Sequence, residues 1–125
     1  MKQVSLSNNR VAVVGASGFV GSYLTQFLRD KSIDVVEIVR NVTDKNNTRD
    51  LVEIGDITNS LNSYKGVFDE VDTIVYTIAR THHPGEDDFR FYSIYKEINC
   101  DAMIRMARAA HRQGVKRFIF LSSIK

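Results

Sequence analysis

With one cysteine, Cys100, in 125 residues, the chain cannot close an internal disulfide, which fits a reducing compartment and reads Cys100 as a packed thiol. It has no apolar run of about eighteen residues and no charged-then-apolar leader, so neither a membrane span nor a signal peptide is expected. An excess of one charge is also missing. Seventeen Lys and Arg stand against fifteen Asp and Glu, a net charge of +2 without a like-signed cluster, so nothing points to nucleic acid or an anionic membrane. The expected location is cytoplasmic. Metal-ligand spacing is lacking as well: His82 and His83 are adjacent, with no third ligand in register, and read as a polar loop.

What the chain does carry begins at Arg10. Val11 to Val14 are a continuous apolar, largely β-branched run, the pattern of a parallel strand buried on both faces. Gly15, Gly18 and Gly21 follow at three-residue spacing, and Phe19, Val20, Leu24, Phe27 and Leu28 then fall on one face of a helix. In such a strand–turn–helix unit Gly15 makes the turn and Gly18 lets the backbone approach a pyrophosphate. Gly21 lets the helix pack closely on the strand, and the first-turn N–H groups with the helix dipole hold the anion.

Asp30-Lys31-Ser32 breaks this helix, and Ile33 to Val39 forms a second strand parallel to the first. Its tip carries Arg40, where a carboxylate would bind an adenosine ribose 2′-hydroxyl. Arg40 can pair with a 2′-phosphate, which tilts the cofactor from NAD toward NADP; it can also stack on adenine in either, or be a solvated strand-end arginine. Asn41 to Asp50 is a polar loop or turn, and Leu51 to Ile54 a short third strand. The segment from Ser60 to Phe68 reads as a helix that Asp56 or Thr58 can cap, followed by a fourth strand over Val71 to Ile78. Helical periodicity then runs from about Phe91 to Gln113 through Ile94, Ile98, Ala102, Met106 and Ala110, with Gly114 as the stop. Asn99 shares a side with Met103, Met106 and Ala110. An unpaired amide there costs about 1–3 kcal/mol, so it needs a fixed partner. Val115 to Leu121 is the fifth strand, apolar on both faces. The fold class is α/β, a Rossmann-type three-layer sandwich on a parallel five-stranded sheet in the order 3-2-1-4-5.

The form GASGFVG, G-x-x-G-x-x-G, resembles the short-chain dehydrogenase/reductase superfamily, and specifically its extended branch of NAD-dependent nucleotide-sugar epimerases and dehydratases. Gly55-Asp56-Ile57 is similar to that family's step after strand three, and GVKRFIFLSS to its fifth strand leading to the catalytic serine or threonine. The resemblance implies cofactor contacts from Gly15, Ser17, Gly18, Phe19, Val20 and Gly21, with Asp56 and Ile57 beside the adenine. It puts Ala79 at the ribose and pyrophosphate; Arg80, where the family commonly has a second alanine, adds an unusual cation there. Asn99 is implied near the active site and Ser123 as the catalytic hydroxyl, while a purely structural amide remains the alternative for Asn99.

In that family a tyrosine, its pKa lowered by a lysine four residues on, transfers the proton during hydride transfer. Tyr92 and Lys96 have the spacing but precede Ser123, so they are read as a decoy. The genuine pair is expected beyond Lys125, with the remaining strands and the sugar-binding region, making residues 1–125 the NAD(P)-binding portion of a larger enzyme and inactive alone. A Ser-His-Asp hydrolase is disfavoured because Ser17 lies in G-x-S-G, not G-x-S-x-G. The implied function is epimerase, dehydratase or 4-keto reductase chemistry on a nucleotide-sugar, an isomerase or oxidoreductase activity, in a homo-oligomer. The alternative is a non-enzymatic NAD(P) sensor of the same fold. Taken alone, the chain is expected to be poorly stable or to self-associate through its apolar fifth strand, which later elements would cover in a complete fold.

Overall fold

In the computed structural model, which describes residues 9–42, 50–79 and 91–121, Val11–Val14 form β1 at the centre of a parallel sheet. α1 (Phe19–Asp30) leads to β2 (Val35–Val39), which is followed by β3 (Leu51–Glu53) and β4 (Thr73–Tyr76). A long helix is then built from α2 (Tyr92–Lys96), a π turn (Glu97–Asp101) and α3 (Ala102–Arg112), and β5 (Arg117–Phe120) closes the series. The strands run parallel in the order β3-β2-β1-β4-β5, the expected order; β1 has its expected bounds and each of the others is shorter than its apolar run. Val14 stands beside Ile38 on one side and Tyr76 on the other, so three strands finish level where the order reverses.

Alternation along the strands divides the core. Ala12, Val14, Val36, Ile38, Ile74 and Tyr76 face α3 and the 64–71 segment, packing with Phe68, Met106 and Ala110. Val13, Val35 and Val39 face the other way, onto Leu24 and Leu28 of α1. Each fully buried large side chain contributes about 1.5–3 kcal/mol. These two faces with their helices make the three layers.

The interior face of α1 differs from the apolar stripe in the sequence. Gly21 and Thr25 are buried with Leu24 and Leu28 beneath them, whereas Phe19, Val20, Tyr23 and Phe27 are exposed. The small residues win the interior because the helix lies too close to the turn for larger ones. Glu37, mid-strand in β2, is 5% exposed and pairs with Arg29 of α1 at 2.6 Å.

Residues 60–68 do not form the expected helix. Asn59 and Asn62 accept the N–H groups two residues on, and Tyr64 turns to φ 53°, so side-chain turns replace the helical ladder. Gln113 holds the result, donating to the Tyr64 carbonyl at 2.6 Å and accepting the Phe68 N–H at 2.9 Å. The long helix falls where the periodicity put it, yet the π turn interrupts it and Ile94 stays exposed. No helix among the described residues is long and apolar enough to cross a membrane.

Candidate functional site

At the carboxyl ends of β1, β2, β3 and β4 lies a cleft of about 570 Å³. Its floor is the turn after β1. Gly15 takes φ +86°, a conformation that strains any L side chain, and a Cβ there would lie 2.6 Å from Thr77 Oγ1. The Gly15 N–H donates to the Ile38 carbonyl at 3.1 Å, and the Gly15 carbonyl accepts the Gly18 N–H at 3.0 Å. Thr77, directly after β4, donates its hydroxyl to the Val14 carbonyl at 2.7 Å. The turn is therefore held from both neighbouring strands.

A Cβ on Gly21 would sit 2.1 Å from the Gly15 carbonyl oxygen, so this glycine sets how closely α1 approaches the turn. At Gly18 the same Cβ would meet only that oxygen, at 3.3 Å, and the space beyond is open. α1 begins there without a side-chain cap, leaving its first-turn N–H groups to the cleft. A cradle with backbone donors, a positive helix end and no Cβ at its mouth fits a pyrophosphate. The described residues therefore suit a dinucleotide, and they contain no group of three His, Cys, Asp or Glu arranged to hold a metal.

The second wall comes from the ends of β2 and β3. Ile54 donates its N–H to the Val39 carbonyl at 2.9 Å and Gly55 to that of Arg40 at 3.0 Å, bringing Arg40 beside Asp56. The Thr58 N–H and hydroxyl donate to Asp56 Oδ1 at 2.9 and 2.7 Å. These bonds, with Arg40 nearby, hold the Asp56 carboxyl below its ordinary pKa. Arg105 of α3 fixes the next residue, donating to the Ile57 carbonyl at 3.0 Å while paired with Glu97 of the π turn at 2.9 Å.

The structure thus gathers Gly15, Ser17, Gly18, Phe19, Val20, Gly21, Arg40, Asp56, Ile57 and Ala79 around one cleft. Asn99 is half-buried in the π turn and is not on the cleft wall; its neighbour Ile98 is. Arg80, His82, His83 and Ser123 lie outside the described residues. Tyr92 is 66% exposed, and Lys96 donates to Asp101 at 3.1 Å; neither lines the cleft. Sequence reasoning gave no role at the cleft to Thr77, Thr58, Arg105 or Ile98. For Thr77 a signal existed, a hydroxyl residue directly after an apolar strand, whereas the Arg105 contact spans 48 residues and has no local mark.

The profile of the NAD dependent epimerase/dehydratase family matches residues 11–125. A UDP-glucose 4-epimerase of Vibrio cholerae is 34% identical over 116 residues, 92% of this chain and 35% of that protein. Among solved structures, MoeE5 in complex with UDP-glucose and NAD superposes with a TM-score of 0.71 at 30% identity, over 92% of this chain and 36% of that one. The UDP-glucose 4-epimerase of Thermotoga maritima with UDP-glucose gives 0.70 at 20% identity, over 91% and 38%, a likeness of fold. The chain spans about a third of the length of these relatives.

Proposed function

Since the chain belongs to the NAD dependent epimerase/dehydratase family, we propose that its glycine-floored cleft holds NAD, in a protein that acts on a nucleotide-sugar as an epimerase, dehydratase or 4-keto reductase. The observation that carries this reading is the Gly15–Gly21 turn, with an open Gly18 at the uncapped start of α1. NAD, when bound, supplies a hydride acceptor. The first-turn N–H groups of α1 bind the pyrophosphate, and the walls formed by Arg40, Asp56, Ile57 and Ala79 orient the adenosine half. Thr77 keeps the turn in its binding shape, so little reorganisation is needed when the anion enters.

The sugar nucleotide is of the UDP-glucose kind, the substrate named for the 4-epimerase of Vibrio cholerae and a ligand of MoeE5. Ser123, which follows β5, is the hydroxyl that hydrogen-bonds the reacting oxygen, and Tyr92 takes no part. The whole protein is a homo-oligomer; Ile119, Phe120 and Leu121, 45%, 38% and 44% exposed at β5, are the surface left for the later strands of the sheet or, in this chain alone, for a second copy.

Calorimetric titration of the chain with NAD tests the reading. Saturable 1:1 binding that Gly18→Val abolishes is the expected result, because the branched side chain fills the open space over the turn. Undiminished affinity in that variant would show that the Gly15–Gly21 turn does not bind the cofactor.

A further inference from the structure

Of the described residues lining the cleft, Arg40 is the one cation and Asp56 the one anion. Both are well exposed at its mouth, and the Arg40 Nη2 lies 3.7 Å from Asp56 Oδ2. The Gly55 N–H to Arg40 carbonyl bond of 3.0 Å makes the two segments backbone neighbours, so the sheet brings both side chains within reach of each other. Resting on the reading of this cleft as a dinucleotide site, we infer that Asp56 is a cofactor-selectivity residue that acts through Arg40, turning the site away from a 2′-phosphate and toward a bare 2′-hydroxyl.

The discrimination is electrostatic. A lone arginine at the tip of β2 would attract a phosphate carrying nearly two negative charges. With a carboxylate within 4 Å, much of the guanidinium charge is already offset by Asp56, so Arg40 has less attraction left for a phosphate. Protonation does not relieve this at neutral pH, because Thr58 donates twice to the ionised carboxylate. A neutral ribose hydroxyl does not depend on that charge. At 3.7 Å the pair is looser than a charge-assisted hydrogen bond, so the guanidinium plane stays free to lie against a base. Arg40 then serves as a flat surface more than as a phosphate receptor.

Asp56→Asn is the discriminating variant, since an amide oxygen still accepts both Thr58 bonds while the charge is lost. Titrations of wild type and variant with NAD and NADP, with melts to show that both are folded, give the ratio of the two affinities. The ratio is expected to move toward NADP by roughly fivefold, the effect of one exposed charge pair, and to move less at high salt. Any loss of adenine contact common to both cofactors cancels in the ratio. In the Arg40→Ala background the shift should vanish. NAD binding with an unchanged ratio overturns the inference and leaves the cradle standing, as does a shift that persists without Arg40 through another route. If neither nucleotide binds the wild-type chain, the cradle reading falls and the inference falls with it.

Discussion

The Thr77 hydroxyl donates to the Val14 carbonyl at 2.7 Å, joining residues 63 apart in the chain at the point where the sheet order reverses. Its oxygen is also 3.3 Å from the Gly15 carbonyl. One hydroxyl thus ties the end of β4 to the turn that floors the cleft. Thr77→Val keeps the shape and removes the donor. The Val14 carbonyl retains the Thr77 backbone N–H, so the expected loss is about 1 kcal/mol of stability, with Thr77→Ser close to wild type. Urea denaturation of the three proteins measures it, and equal midpoints for the valine and serine variants would assign the hydroxyl no role.

Gly21→Ala should be far more damaging than its size suggests. The added methyl meets backbone on the turn, the Gly15 carbonyl oxygen at 2.1 Å and carbon at 2.8 Å, and no flexible side-chain end can give way. α1 must withdraw from the sheet, at a cost of about 3 kcal/mol or more. A drop in thermal midpoint of well over 5 °C is expected for a domain of this size. A melt within 2 °C of wild type would show that the helix slides freely.

Arg29→Ala leaves Glu37 in the sheet interior without the guanidinium that faces it at 2.6 Å. Removing one partner of a fully buried pair costs about 3–5 kcal/mol. Arg29 keeps 25% of its side chain exposed, and Glu37 has a further interaction, so about 2–3 kcal/mol is expected. Arg29→Lys should recover part of it. Denaturant midpoints at low and high salt test this, and a neutral Arg29→Ala would mean that the carboxylate is satisfied elsewhere.

Tyr76 is fully buried, and its hydroxyl has no hydrogen-bond partner among the described residues. Burial pushes its phenol up from 10.0, and that of Tyr64 moves the same way. A raised folded value means the native state holds the proton more tightly. Stability is therefore unaffected below about pH 10 and declines as pH rises above it. Tyr76→Phe should match or exceed wild type at pH 7, by up to about 1 kcal/mol, and should lose less between pH 10 and about pH 11.5. Parallel alkaline declines in the two proteins would count against burial holding the Tyr76 phenol in its neutral form.

The sequence alone determined the parts of this protein whose physics is local. A β-branched run, glycines at three-residue spacing and an amphipathic helix each depend on near neighbours, so β1, the Gly15 turn, α1 and, through the short crossover, the parallel sheet could be read directly. Tertiary structure decided what depends on distant groups. The segment from Ser60 to Phe68 had helical spacing, but Gln113 and the Asn59 and Asn62 side chains drew its backbone groups into turns. Phe19 and Phe27 were on the apolar stripe of α1, but the close approach permitted by Gly21 turned the helix so that Gly21 and Thr25, with Leu24 and Leu28, face the sheet. Arg40 in isolation resembled a phosphate receptor; only the register of β2 against β3 placed Asp56 beside it and altered its charge environment. Side-chain periodicity is a property of a few residues, whereas hydrogen-bond competition and electrostatic neighbours exist only once the strands have been brought together.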